Sequence, residues 1–305
     1  MKRLLHNLSD TFHIPQSWRN ITVAWWKRFS HWKPPFYRRA TTYGLNCEPR
    51  AIKITISLTS YPARIKTVSD TIDTLLNQTM KPDRLVLWLA ESQFPKKEHS
   101  LPYRLLKQRE YGLTVAWCED LKSYKKLIPS LKAYPDDMIV TVDDDILYDE
   151  SLIERLVSSY SEMPECIHSQ LVMRIRYNGG VGFESYNDWQ YDTVYGASYF
   201  NLLMGGSGTL YPPHCMPPET LKDSIFMQIA STVDDIWFWA MAVLAGRKVR
   251  HIPDGTEAHI SQNPVASNRF ALWNNNIDVA NGNDAQLKAI VARYPDILNR
   301  FKVVE

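Results

Sequence analysis

The feature that most constrains this chain is a regular alternation of apolar, β-branched segments with amphipathic ones between residues 52 and 160. The apolar segments have the length of strands, and the segments between them carry apolar residues at helical spacing. Such alternation is typical of a mostly parallel sheet with helices on both faces. Strands are predicted at 52–58, 84–89, 113–117 and 138–142, and helices at 67–78, 99–110 and 151–159.

The second half of the sequence is less regular. A loop rich in Tyr, Asn, Asp and Gly extends to about residue 204, and a glycine-rich turn follows it. The remaining predicted elements are strands near 170–176, the turn at 205–208, a helix at 232–245 and a terminal helix near 284–294. A chain of 305 residues fits one large α/β domain with an appendage.

Charge is distributed unevenly. Residues 1–50 hold nine Lys and Arg against two acids, whereas the other 255 residues hold 26 bases and 31 acids. The total net charge of +2 gives no general attraction to nucleic acid, so no nucleic-acid partner is expected. The basic segment is interleaved with Trp, Phe and Tyr, a composition that suits the headgroup region of an anionic membrane. Packing against the acidic remainder, or against a partner enzyme, is the alternative.

Cysteine usage and hydropathy indicate a cytoplasmic protein. The four cysteines lie far apart, at 47, 118, 166 and 215, without metal-site spacing or a disulfide framework. No apolar region of a signal peptide follows Lys2 and Arg3. No run of about 18 apolar residues is present either, so we expect no membrane span.

Three acids, Asp143, Asp144 and Asp145, close the predicted strand at 138–142. Ligands of open α/β sheets bind at the carboxyl ends of strands. Asp143 and Asp145 project to the same side of an extended segment, which suits a hard divalent cation shared with a diphosphate. A solvated acidic turn is the alternative interpretation.

Two further loops contain groups that suit a nucleotide. After the first strand, Ser60 opens a turn in which Tyr61 is placed to stack on a base and Arg64 to bind a phosphate. After the third strand, residues 122–126 open a helix, and Lys125 is the basic residue that we expect near the diphosphate. An ordinary turn with solvated basic residues explains both loops equally well.

Two later motifs complete the candidate site. Gly205, Gly206 and Ser207 form a glycine-rich turn that lets a backbone approach a ligand closely, although a purely structural turn has the same composition. Asp234 and Asp235 open an apolar helix, where acids also serve as caps and interact favourably with the helix dipole.

Several of these segments resemble the opening of GT-A glycosyltransferases, in particular bacterial enzymes that build cell-surface polysaccharides. The similar segments are Ser60–Arg64, Leu76–Thr79 and Lys81–Trp88, and Asp143–Asp145 is similar to the DxD motif of that family. The resemblance covers about residues 52–275 and is looser in the second half. It implies a GT-A, Rossmann-like fold with an N-terminal basic and aromatic extension.

The resemblance also implies roles for the candidate residues. Asp143 and Asp144 would bind the donor ribose or sugar, and Asp145 would bind Mn²⁺ or Mg²⁺ together with His259, an imidazole ligand that favours Mn²⁺. Residues 205–207 would lie beside the donor sugar and the acceptor. Asp235 would be the base of an inverting transfer, with Asp234 capping the helix or touching the acceptor.

The sequence therefore predicts three parts: an N-terminal segment, 1–50, a nucleotide-sugar-binding half, 51–160, and an acceptor-binding half, 161–305. The expected partners are a UDP-sugar donor and a glycan or lipid-linked glycan acceptor, with peripheral contact at the inner face of the cell membrane through the basic segment. A non-catalytic nucleotide-sugar-binding protein, a retaining transferase and a nucleotidyltransferase are the alternatives. The last is disfavoured because residues 59–64 contain no glycine.

Overall fold

The computed structural model describes residues 43–179, 182–191, 196–252, 260–262 and 282–301. Its strands, numbered in chain order, are β1 (Ile54–Thr59), β2 (Arg84–Ala90), β3 (Leu113–Cys118), β4 (Met138–Thr141), β5 (Ile146–Tyr148), β6 (Ile167–Ser169), β7 (Val172–Arg174), β8 (Tyr177–Asn178), β9 (Gly182–Phe183), β10 (Gln190–Tyr191), β11 (Gly196–Ser198), β12 (Asn201–Leu203), β13 (Thr209–Tyr211), β14 (Val249–His251) and β15 (Ile260–Gln262). The α-helices of these ranges are α1 (Val68–Leu76), α2 (Tyr103–Gln108), α3 (Ile128–Ala133), α4 (Leu152–Glu162), α5 (Asp223–Ile229), α6 (Asp234–Leu244) and α7 (Asn283–Arg293).

The main sheet has eight strands in the order β11-β14-β6-β13-β4-β1-β2-β3. β1 pairs in parallel with β2 and β4, and β2 pairs in parallel with β3. β13 runs antiparallel between β4 and β6, and β11 runs antiparallel to β14, which is parallel to β6. Six of the eight strands therefore share one direction, and the prediction of a mostly parallel α/β sheet is confirmed.

The residues of β1 alternate between the two faces of this sheet. Ile54, Ile56 and Leu58 are fully buried in a core cluster with residues of α1 and α4. On the opposite face, the Thr55 hydroxyl donates to Asp137 at 2.6 Å, and the Ser57 and Ser130 hydroxyls are 2.7 Å apart. Because both faces of β1 are covered, its sequence is polar only where a partner is available.

Helix α6 is buried on nearly all sides. Trp237, Phe238 and Trp239 are at most 1% exposed and belong to a second core cluster with residues of α3, α5 and α7. A helix that is apolar all round is a core helix rather than a surface one. Its position is therefore well determined by packing, and so is the position of the acids at its first turn.

The bounds of the predicted elements agree with the structure to within a few residues, except in two segments. The helical segment at 99–110 is divided into 3₁₀ turns and the short α2, and residues 122–126 are a 3₁₀ helix that precedes α3. Three small sheets, β10-β7-β12, β15-β5 and β8-β9, occupy the second half. In the described part of the chain, no helix is long and apolar enough to cross a bilayer.

Most of the predicted N-terminal segment, residues 1–42, lies outside the described residues. Its last residues contact the α/β domain. The hydroxyl of Tyr43 donates to Asp73 at 2.6 Å, and Arg50 forms an ion pair with Asp83 at 2.7 Å. Residues 43–50 therefore pack with the sheet domain, and the predicted division at residue 51 falls inside a packed region.

Candidate functional site

The acids after β4 lie at the carboxyl edge of the sheet. Ser57 of β1 pairs with Thr141 of β4, so the turn that follows β1 and the acids that follow β4 leave the sheet side by side. Thr209, at the start of the antiparallel β13, also pairs with Thr141, which places the preceding turn, 205–207, at the same edge. The topology thus brings together three of the predicted motifs.

Asp144 is the most buried acid of the triplet, with 5% of its surface exposed. It accepts hydrogen bonds from the Ser60 hydroxyl at 2.6 Å and from Nη1 of Arg64 at 2.9 Å. The hydroxyl of Thr71 donates to its main-chain carbonyl at 3.1 Å. Burial raises the pKa of Asp144 while Arg64 opposes the increase. Asp144 therefore fixes the loop after β1 against the triplet.

Arg64 also bridges to Asp145, with Nη1 2.8 Å from Oδ2. Its guanidinium lies 5.8 Å from the ring centroid of Tyr61, and its Nε is buried without a hydrogen bond among the described residues. Burial, and next the charge of Asp143, raise the pKa of Asp145 to about 6, so an additional positive charge at this position would be favourable.

Asp143 lies against the glycine-rich turn. A Cβ atom placed on Gly206 would be 1.9 Å from Oδ2 of Asp143, so any side chain there would collide with the carboxylate. The main-chain N–H of Asp143 donates to the Tyr148 hydroxyl at 2.8 Å, and that hydroxyl donates to the carbonyl of Gly206. The turn and the triplet are therefore held together by a close approach and by a buried tyrosine.

Two adjacent lysines behave differently. Lys125 forms an ion pair with Asp120 at 2.7 Å, near the end of β3. Lys126 instead extends into the site, where its Nζ is 3.0 Å from Asp143 and 3.3 Å from Asp234. The sequence singled out Lys125 for the donor, whereas the structure brings Lys126 to the aspartates.

Asp234 and Asp235, the acids at the start of α6, face the carboxyl edge of the main sheet from the side opposite the triplet. Oδ1 of Asp235 accepts a hydrogen bond from the main-chain N–H of Gly205 at 3.1 Å, and the hydroxyl of Thr141 donates to the carbonyl of Gly205 at 2.8 Å. Burial, and next the charge of Asp234, raise the pKa of Asp235 to about 7. A carboxyl group with a pKa near neutrality is suited to accept a proton under physiological conditions.

The remaining predicted residues are placed as follows. The hydroxyl of Ser207 donates to the carbonyl of Met204 at 2.7 Å, a bond within the turn. His259, the predicted second metal ligand, lies outside the described residues. The described residues contain no group of three or more His, Cys, Asp or Glu arranged to hold a metal ion.

The carboxylates of Asp143 and Asp145 nevertheless fit a divalent cation. Oxygen ligands suit Mg²⁺ and Mn²⁺, and the mutual repulsion that raises the pKa of Asp145 would be relieved by such a charge. Two protein carboxylates leave coordination positions for the phosphate oxygens of a nucleotide, which is how Mg²⁺ is commonly held.

Sequence reasoning missed Lys126, Tyr148 and Thr71. The adjacent Lys125–Lys126 pair was a visible signal, but only the path of the 3₁₀ helix decides which lysine faces inward. Thr71 is 73 residues from Asp144 in sequence, and Tyr148 is 58 residues from Gly206. Nothing in the motif pattern distinguishes either of them from core residues. The fold and site together define an α/β protein with a cluster of acids at the carboxyl edge of its main sheet.

No family model and no curated protein matches this chain. Among solved structures, it is similar to residues 1–349 of S. aureus TarS, at 12% identity and a TM-score of 0.42, over 65% of this chain and 57% of TarS. A mannosyltransferase from Pyrobaculum calidifontis, solved with GDP-Man and Mn²⁺, is similar at 14% identity and 0.43, over 76% of this chain and 62% of that one.

An inositol-1-phosphate CTP transferase from T. maritima is similar at 13% identity and a TM-score of 0.40, over 66% of this chain and 85% of that one. The chain thus spans about three fifths of the length of the first two proteins.

Proposed function

We propose that the protein is a metal-dependent, inverting glycosyltransferase that moves a sugar from a nucleotide diphosphate donor, a UDP-sugar, to a hydroxyl of a glycan or a lipid-linked glycan in surface polysaccharide synthesis. The observation that supports this most is the position of Asp235. Its carboxyl group, bonded to Gly205, lies in the same connected network as Asp143, through Lys126 and Asp234. A proton acceptor and an acid-rich donor site are thus combined at one edge.

Each group has a task in this proposal. Tyr61 stacks on the base, and Arg64 and Lys125 bind the donor phosphates. Asp143 and Asp144 bind the ribose or sugar. Asp143 and Asp145, with His259, would hold Mn²⁺ or Mg²⁺, which when bound stabilises the negative charge of the leaving diphosphate.

The transfer itself needs a base. As the acceptor oxygen attacks C1 of the donor sugar, Asp235 takes the proton from that hydroxyl while the bond from C1 to the diphosphate oxygen breaks. Attack from the face opposite the leaving group inverts the anomeric centre. Asp234, which pairs with Lys126 rather than capping α6, borders the acceptor. Residues 205–207 lie beside the donor sugar and the acceptor. A pKa of about 7 for Asp235 supports this role.

Two alternatives remain testable. A non-catalytic nucleotide-sugar-binding protein would bind the donor without turnover, and a retaining transferase would give the opposite anomer. A thermal-shift screen of nucleotide-sugars with and without Mn²⁺ tests the proposal. At least one UDP-sugar should raise the melting temperature, and more so with Mn²⁺. If no nucleotide-sugar does so while CTP or another nucleoside triphosphate does, nucleotidyl transfer replaces this proposal.

A further inference from the structure

Lys126 is a buried lysine that lies between two groups of acids. Its side chain is 8% exposed, and its Nζ is 3.0 Å from Oδ1 of Asp143 and 3.3 Å from Oδ2 of Asp234. Asp143 follows β4, whereas Asp234 opens α6. One cation therefore connects the donor side of the site to the acid pair on the opposite side.

The burial of Lys126 is compensated by these acids. Desolvation alone would lower its pKa, but Asp143, Asp234 and Asp235 outweigh that effect and raise the pKa well above the ordinary value of lysine. Lys126 consequently stays positively charged. In turn, Oδ2 of Asp234 is buried and makes no hydrogen bond within the described residues, so the ion pair with Lys126 compensates its burial.

The charges around Asp235 explain why this cation matters. On its own helix lies Asp234, and Lys126, Asp143 and the Gly205 N–H face it from other elements. The phenols of three tyrosines also lie close enough to feel its charge: Tyr124, Tyr186 and Tyr211. Both neighbouring carboxylates disfavour ionisation of Asp235, whereas Lys126 favours it.

We propose that Lys126 is a positioning residue: its ion pairs with Asp143 and Asp234 hold the first turn of α6, which carries Asp235, against the donor side of the site and place a cation beside the acid pair. The role in transfer rests on the proposed function. Its electrostatic role, the compensation of the charges of the acid pair, does not rest on the proposed function, because it concerns contacts within the protein itself. The adjacent Lys125 offers a matched comparison, since its side chain is 3% exposed and, among the described residues, it pairs with one carboxylate, that of Asp120.

The electrostatic role is tested on the full chain without any substrate. Thermal unfolding of wild type, Lys126→Met and Lys125→Met is followed from pH 5 to pH 9. Lys126→Met should lose much more stability at pH 8 than at pH 5, because Asp235 then ionises beside Asp143 and Asp234 without a cation. Lys125→Met should show no such extra slope, because the side chain of Asp120 is 33% exposed and keeps its hydrogen bonds from the main-chain N–H of Lys122 and from Gln93.

A second variant covers the event that Lys126→Met does not fold. Lys126→Met/Asp234→Asn removes both members of the buried ion pair and leaves no added net charge. It should be more stable at pH 8 than Lys126→Met alone. If the pH dependence of Lys126→Met runs parallel to that of wild type, or the double variant is no more stable at pH 8 than Lys126→Met, the electrostatic role is wrong.

The transfer role is tested through the pH profile of turnover. For Lys126→Met, the apparent pKa of the acid limb in the pH profile of kcat should rise by about one unit. This shift lowers kcat roughly tenfold on the acid side of neutrality. Lys126→Arg, which retains the cation, should restore the wild-type limb. A large loss of donor affinity with an unmoved limb would show that Lys126 binds phosphate instead, and would overturn the positioning role.

The two failures are distinguishable. If no nucleotide-sugar is turned over by the wild type, the proposed function fails, but the unfolding experiment still decides whether Lys126 holds the acid pair. If turnover is observed and both Lys126→Met and Lys126→Arg keep the wild-type pH profile of kcat, the proposed function stands and the inference about Lys126 is wrong.

Discussion

Gly206 and Asp143 approach so closely that a methyl group on the glycine would lie 1.9 Å from a carboxylate oxygen. The neighbouring Gly205 has an equivalent relationship with Asp235, where the distance would be 2.8 Å. Real Cβ atoms essentially never approach oxygen this closely. The proximity of the two carboxylates therefore explains why this turn has consecutive glycines. Close approach, rather than an unusual backbone angle, is the reason at both positions.

Alanine at each glycine should therefore affect a different part of the reaction. Gly206→Ala displaces Asp143 from its contact with Lys126 and should weaken donor binding at least tenfold. Gly205→Ala displaces Asp235 and should reduce kcat with little change in donor affinity. Calorimetric titration with the donor and steady-state kinetics separate the two. Equal losses of affinity in both variants would contradict this division.

The ionisation of Asp235 should be visible in protein stability. Its pKa is raised from 3.8 to about 7, so the folded protein binds the proton more tightly than the unfolded chain. The corresponding stability is fully present below about pH 4 and is lost as the pH rises through about 7. Asp235→Asn should thus be more stable than wild type at pH 8, by on the order of 1–3 kcal/mol because partial solvent contact reduces the effect.

The comparison at pH 5 is the internal control for that prediction. There the carboxyl is protonated in the folded protein but already ionised in the unfolded chain, and the asparagine can accept the same hydrogen bond from Gly205, so the advantage of Asp235→Asn should be clearly smaller than at pH 8. A gain in stability that is equal at pH 5 and pH 8 would mean that Asp235 is not the titrating group.

Much of the fold was predictable from the sequence for a physical reason. Strands such as β2 and β4 are buried on both faces and read as apolar runs, and α1 shows a clear helical period. The acids after β4 were also visible, because a charged triplet directly after a buried strand is unusual. These signals are local in sequence and need no knowledge of tertiary contacts.

The partners of the acids were not predictable in the same way. Lys126 is separated by 108 residues in sequence from Asp234, with which it forms an ion pair, and the orientation of its 3₁₀ helix decides that contact. Tyr148 lies on β5 and contacts Gly206, 58 residues later. The donor roles of Ser60 and Arg64 stay predictions, since the structure shows both bonded to Asp144 rather than to a ligand.

The metal prediction is tested at Asp145. Asp145→Asn keeps the shape of the side chain but removes its charge, so donor binding should lose its dependence on Mn²⁺ and activity should fall roughly ten- to a hundredfold. Asp136→Asn is the control, because Asp136 precedes β4 at the opposite edge and its side chain is 85% exposed. It should retain full Mn²⁺ dependence. Equal wild-type turnover in EDTA and in Mn²⁺ would refute the metal site.

Membrane contact of the basic N-terminal segment is tested with anionic vesicles. The full chain should sediment with them in low salt and be released as ionic strength rises. A chain that begins at Tyr43, which retains the contacts of Tyr43 and Arg50 with the α/β domain, should not sediment. If both proteins stay in the supernatant, the segment has another role.

The most direct test of the proposed function is the release of nucleotide diphosphate from a UDP-sugar in the presence of a glycan acceptor and Mn²⁺, compared between wild type and Asp235→Asn. The account predicts turnover by the wild type, with an inverted anomeric configuration in the product. It also predicts a loss of at least a hundredfold in kcat for Asp235→Asn, with donor affinity nearly unchanged. Near-wild-type kcat in Asp235→Asn, or a product of retained configuration, would contradict it.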